Sequence, residues 1–184
     1  APLSTTLREL LLPNNELRGL PTWLPTLKHL SVLNVQGNRM ERLPDAVLRC
    51  RHVSVLRWGA QKGVNGDVGE GDVAAAAAAA VADTKACFTS AQLRVLELEA
   101  NELEALPRTC EAHSDTLVAL LASFNRLGHV PALVQLHSGS LKKLHLGCND
   151  IRTLVGSGLG ELRNLAELCL EGNWLTALPD EVGR

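Results

Sequence analysis

One spacing constrains this chain more than any other property. A segment reading Leu-x-x-Leu-x-Leu-x-x-Asn returns at Leu7, Leu30, Val53, Leu93, Leu117, Leu141 and Leu165, at intervals of 23, 23, 40, 24, 24 and 24 residues. Two copies show it most clearly. One runs Leu7-Arg8-Glu9-Leu10-Leu11-Leu12-Pro13-Asn14-Asn15, the other Leu165-Ala166-Glu167-Leu168-Cys169-Leu170-Glu171-Gly172-Asn173. Eight residues into each segment stands Asn15, Asn38, Gln61, Asn101, Asn125, Asn149 or Asn173. An apolar residue follows two places on in six of them, with Gly63 the exception, and then Leu-Pro or Val-Pro at Leu20, Leu43, Leu106, Val130 and Leu178, with Leu154-Val155 in the sixth copy. Seven copies in one register mean that each unit is a single layer that cannot bury its own leucines, so the stack is the folding unit.

The pattern predicts local geometry. In Leu-x-Leu the two leucines share one side of a short strand, and the residues around them face the other way. Successive strands stack in parallel at about 4.8 Å, so seven give a sheet about 30 Å wide. The asparagines supply side-chain bonds to the backbone of the bends. Leu-Pro then closes the stretch, because proline fixes φ and holds its predecessor extended. Composition agrees: 36 leucines, two Phe, three Trp and no Tyr make an aliphatic core. A formal net charge of -2 with 46% hydrophobic residues excludes a disordered tail and a globally basic nucleic-acid binder.

These repeats resemble leucine-rich repeats, and the 23-residue unit with its Leu-Pro step is similar to the intracellular, Ras-group type. The resemblance covers nearly the whole chain. It implies an α/β solenoid of about seven repeats, with a curved parallel sheet on the concave side and loops and short helices on the convex side. It also implies an intracellular adaptor, with signalling proteins such as small GTPases as partners. The scaffold itself serves unrelated tasks, so fold alone does not fix function.

The chain reads as one domain, 1–184, interrupted at about 62–92. In the third repeat Trp58 replaces leucine, Gln61 replaces asparagine, and no leucine occurs between Leu56 and Leu93. Gly63, Gly66, Gly69 and Gly71 predict a loop. Asp72 followed by Ala74 to Ala80 predicts a helix near 72–87, packed over the Trp58 layer. Little precedes Leu7, and the chain stops at Arg184 inside the seventh repeat. Because solenoids generally hide their end layers, the expectation is a segment of a longer chain, or an end capped by a partner.

Outward strand positions form columns. Two residues after each start stand Glu9, Val32, Val55, Val95, Ala119, Lys143 and Glu167; four residues after stand Leu11, Asn34, Arg57, Glu97, Leu121, His145 and Cys169. An apolar strip through Val32, Val55, Val95, Ala119 and Leu121, beside Phe124, reads as a contact surface. The candidate partner-binding residues are Val32, Asn34, Val55, Arg57, Val95, Glu97, Leu121, Phe124, His145 and Trp174. Charge is uneven: residues 28–62 carry seven Lys/Arg against two Asp/Glu, net +5, and residues 63–115 carry three against ten, net -7. Glu97, Glu99 and Glu102 gather on the fourth repeat and suit a basic patch on a partner.

The leading expectation is a non-catalytic protein-interaction scaffold without a cofactor. The alternatives are a structural subunit of a large protein or ribonucleoprotein assembly, and a regulatory repeat segment of a larger enzyme. No Walker-type loop, GxSxG, HExxH or CxxC is present. Arg39, Arg42, Arg49, Arg51, Arg57 and Lys62 lack stacking aromatics, which argues against nucleic-acid binding. His145 and Cys169 share a column and Cys148 is near, a weak metal pattern without a fourth ligand. Cys50 and Cys110 read as buried packing residues. The five cysteines are odd in number and scattered, and none of the ten Asn sits in a sequon. Both features point to a reducing, intracellular and cytoplasmic compartment. No apolar run reaches the roughly 20 residues of a membrane helix.

Overall fold

The structure is a computed structural model. It describes residues 5–40, 44–61, 87–88, 92–101, 103–106, 108–109, 116–131 and 139–183. Seven three-residue strands form one parallel sheet in chain order: β1 (Glu9–Leu11), β2 (Val32–Asn34), β3 (Val55–Arg57), β5 (Val95–Glu97), β7 (Ala119–Leu121), β8 (Lys143–His145) and β9 (Glu167–Cys169). Two further strands, β4 (Cys87–Phe88) and β6 (Arg108–Thr109), pair in parallel away from that sheet. Between the strands the chain returns through turns, 3-10 turns at Leu24–Thr26 and Leu159–Glu161, and one four-residue helix, α1 (Asp45–Leu48). Residues of successive strands meet in one register, for example Val32 with Val55, Val55 with Val95 and Leu121 with His145. The period read from the sequence is therefore the pairing register.

The core follows from that register. Leu33, Leu56, Leu96, Leu120 and Leu144 each stand at the centre of a strand, point inward and are fully buried. A second inward row follows each strand: Val35, Trp58, Leu98, Ala122 and Leu146, all buried. Trp58 is thus a core residue that widens its own layer, and its indole Nε1 has no hydrogen-bond partner among the described residues.

Asparagines tie the layers together. Asn149 donates from Nδ2 to Leu146 O of its own repeat and to Ala122 O of the preceding one, both at 3.0 Å. Its Oδ1 accepts the Leu127 N–H at 2.9 Å. Asn38, Asn125 and Asn173 repeat this arrangement, and Asn101 varies it by accepting the Gln61 N–H at 3.2 Å while donating to Trp58 O and Leu98 O. Gln61, which the sequence marks as a break, fills the same place: Oε1 accepts the Met40 N–H at 3.1 Å, and Nε2 donates to Val35 O at 3.0 Å. Its extra methylene still reaches both groups, so the third repeat keeps its ladder.

A further regularity went unread in the sequence. The residue before each ladder position is left-handed: Asn14, Gly37, Ala60, Ala100, Phe124, Cys148 and Gly172 have φ between 51° and 68°. Only glycine enters this region freely.

Part of the expected insertion differs from the reading. Cys87, the end of the predicted helix, is extended in β4 with Phe88; its partners in β6 come from the following repeat. Residues 72–86, and Cys110, lie outside the described residues. Cys50 is buried as expected, its Sγ 3.1 Å from Ala46 O, and burial pushes its thiol up to about 11. Iodoacetamide at mildly alkaline pH should leave Cys50 unmodified in the folded chain and label it once urea unfolds the array. Peptide mass mapping reads the difference.

Candidate functional site

The strand face is built by alternation. In β2, β3 and β5 the first and third residues are half-buried and the middle one is buried. Val32, Asn34, Val55, Arg57, Val95 and Glu97 therefore stand on one outward surface, side by side through the pairing register. Leu121 and His145 continue the second column at half-buried positions. The first column is interrupted: Ala119 is buried at 7% exposure, because its small side chain sinks between Val95 and Lys143. The apolar strip is thus a half-buried row of three valines, with its exposed emphasis further along, at Phe124.

Phe124 lies beyond the end of β7, where the chain turns left-handed with φ 57°. Its ring is 61% exposed. The Phe124 N–H donates to Gly147 O at 2.9 Å, and Ala100 N–H donates to Ser123 O at 3.0 Å, so the turn is fixed from both sides. Trp174 occupies an equivalent margin two repeats on. It is 66% exposed, with Nε1 donating to Asp150 Oδ1 at 3.4 Å. Eight of the ten candidate residues therefore share one side of the sheet, and the two aromatics stand exposed in the turns that follow β7 and β9.

Charges on this face are largely neutralised by adjacent repeats. Arg57 Nε donates to Glu97 at 3.0 Å, Arg39 to Glu16 at 3.0 Å, and Lys143 to Glu167 at 2.7 Å. Glu97 is consequently not a free acidic site for a basic partner, as its sequence neighbourhood suggested; Glu102 lies outside the described residues. His145 is paired in register with Cys169, as the column predicts, but its ring Nε2 lies 3.4 Å from Glu167 Oε2. Among the described residues no three His, Cys, Asp or Glu side chains are placed to hold one metal ion.

Comparison with known proteins adds the family. No family model matches the chain. Transforming growth factor beta activator LRRC32 of Pongo abelii is 32% identical over 193 residues, covering 93% of this chain. Leucine-rich repeats and immunoglobulin-like domains protein 3 of Homo sapiens is 26% identical over 164 residues, covering 86%. The crystal structure of a TDR receptor superposes with a TM-score of 0.69 at 25% identity, covering 96% of this chain. The chain is a leucine-rich repeat protein. It spans 28% and 13% of those two relatives and 28% of the receptor chain.

Within this leucine-rich repeat array the Lys143–Glu167 pair has a measurable consequence. The Lys143 ammonium, with His145 adding to it, holds the Glu167 carboxyl below its ordinary range. A carboxylate depressed in the folded state stabilises the fold above its unfolded value and loses that contribution as pH falls through the folded one. Lys143→Ala should return the Glu167 titration midpoint towards the ordinary carboxylate value, read by carboxyl-carbon NMR across the acid range.

Proposed function

We propose that this leucine-rich repeat array is a non-catalytic protein-interaction scaffold that docks a protein partner on its strand face. The supporting observation is the exposed Phe124, held in a left-handed turn that disfavours it, beside half-buried Leu121 and the valine row. A bulky residue kept in a costly conformation, with its ring in solvent, suits a contact role rather than packing. Stacked repeats present this surface already ordered, so docking costs little conformational entropy. Two of the similar proteins, an activator of transforming growth factor beta and a receptor, are consistent with protein recognition as the use of the scaffold.

A reducing, intracellular location belongs to the same proposal. Cys50, Cys148 and Cys169 are free thiols, and the sequence lacks sequons. No described helix is long and apolar enough to cross a membrane.

Leu121→Asp tests the docking face. It puts a charge in the middle of the proposed contact without touching the buried leucines. Affinity for the isolated partner should fall about tenfold or more, a typical effect of altering a contact residue worth over 1 kcal/mol. The melting temperature should stay nearly constant. A control on the return side, Val155→Asp at a residue 74% exposed, should leave affinity unchanged. Equal partner binding by Leu121→Asp and the native chain would overturn the assignment.

A further inference from the structure

Folding brings together a set of charges that the linear sequence scatters. The residue one place after each repeat start forms a lateral row at the N-terminal edge of the sheet: Arg8, Ser31, Ser54, Arg94, Val118, Lys142 and Ala166. Backbone bonds tie this row together. Ser31 N–H donates to Arg8 O, Ser54 to Ser31, Arg94 to Ser54, Val118 to Arg94, Lys142 to Val118 and Ala166 to Lys142, all at 2.7–2.8 Å. The turns just before the starts add Lys28, Arg51 and Arg163, with His29 and His52 beside them. All six Lys/Arg are exposed. From two places before to one place after each start the described residues include no Asp or Glu, and the sequence has one there, Asp115.

The contrast with the strand face is sharp. There Arg39, Arg57 and Lys143 each hold a carboxylate of a neighbouring repeat. At the edge, Arg8, Lys28, Arg94, Lys142 and Arg163 make no ion pair among the described residues, although Arg163 shares a shallow hollow with Glu161, Gly139 and Gly160. Charge on the face is settled internally, whereas these five edge charges have no carboxylate partner among the described residues.

We propose that this edge is an electrostatic extension of the docking surface, and that it takes an acidic segment of the protein partner. The inference rests on reading the strand face as the docking site, because the edge borders that face: Val32, Val55 and Val95 follow the row by one residue. From Arg8 to Lys142 the row spans about 24 Å, the reach of roughly seven extended residues. A polypeptide fits better than a nucleic acid. No aromatic stands in the row for base stacking, and the adjoining column is apolar at its centre, Val32, Val55 and Val95, with charged Glu9, Lys143 and Glu167 at its ends. Complementary charge at the border of an interface mainly sets encounter rate and orientation.

The test titrates a fluorescein-labelled, Glu-rich peptide of about 12 residues into the 184-residue chain, at low salt and at roughly 0.3 M salt. A poly-uridine strand of matched charge serves as competitor. The native chain should bind the peptide in a salt-sensitive way and prefer it to the RNA. Arg94→Glu with Lys142→Glu should weaken it about tenfold, and Arg94→Gln with Lys142→Gln by less, both with unchanged melting. Val155→Asp, on the return side, should leave peptide affinity intact, and the face is read by partner binding to Leu121→Asp instead, so failure of the edge and failure of the face read out separately. Unchanged peptide binding in both charge variants, loss of the peptide in Val155→Asp, or tighter binding of the RNA would overturn the proposal.

Discussion

Asn149→Ala is expected to lower the stability of the array by about 2–4 kcal/mol, more than any exposed substitution in the same repeat. Asn149 is 4% exposed. Its amide donates to Leu146 O and Ala122 O at 3.0 Å and to Gly147 O at 3.2 Å, and its Oδ1 accepts the Leu127 N–H at 2.9 Å. Alanine removes all of these at once: the buried Leu127 N–H loses its acceptor, at a cost of about 1–3 kcal/mol, while Leu146 O, Ala122 O and Gly147 O each lose one of two bonds and keep those from Asn173, Asn125 and the Phe124 N–H. Water cannot readily replace the amide, because the neighbouring Leu146, Ala122 and Leu127 are closed to solvent. Two of the four bonds cross to the preceding repeat, so the loss falls on the coupling between layers, on which a solenoid depends. Asn15→Ala is the internal control. Asn15 is exposed and bonds only within its own turn, to Leu12 O and Pro13 O at 3.2 Å. Its removal should cost below about 1 kcal/mol. Urea unfolding followed by circular dichroism measures both, and similar midpoints would refute the account of the ladder.

Asn149 also illustrates what could be read without coordinates. A polar residue at a constant distance from a leucine pattern has one economical explanation, satisfying a recurrent bend, and the ladder provides it. The strands, their parallel order and their register follow from the same period. Gln61 looked like a break because the reading compared residue types rather than donor and acceptor reach. The left-handed row was illegible for a different reason: Asn, Gly, Ala, Phe and Cys all occupy it, so no side-chain chemistry marks the position. The strand-face columns were legible by alternation, but the pairing of Arg57 with Glu97 was not, since 40 residues separate them and only the register shows them adjacent. The basic edge escaped for the same reason. A linear tally assigns +5 to residues 28–62, whereas the exposed basic residues of the edge run across the array, from Arg8 to Arg163.

Phe124→Gly should move stability and binding in opposite directions, which few substitutions do. In the folded chain Phe124 has φ 57°, a region that costs an L-residue with a side chain about 1–2 kcal/mol and costs glycine almost nothing. Glycine surrenders about 0.5–1 kcal/mol through the greater freedom of its unfolded chain. Little packing is lost, because the ring is 61% exposed. The balance is a gain of up to about 1 kcal/mol, seen as a higher unfolding midpoint. Gly37 and Gly172 already occupy the equivalent position, at φ 68° and 67°. If the ring is an anchor for the partner, its removal should raise Kd about 30-fold or more, in the range of an aromatic hot spot worth at least 2 kcal/mol. Ala100→Gly, in the same conformation one repeat earlier with φ 55°, separates the effects: it should stabilise the array without altering Kd. Calorimetry of the unfolding transition and isothermal titration with the partner supply the two readouts. A Phe124→Gly chain that binds as tightly as the native one would remove the aromatic anchor from the proposal. A chain that melts lower would show that the ring supports its own repeat instead. The expected combination, higher melting and weaker binding, is the signature of a residue kept for contact at the expense of the fold.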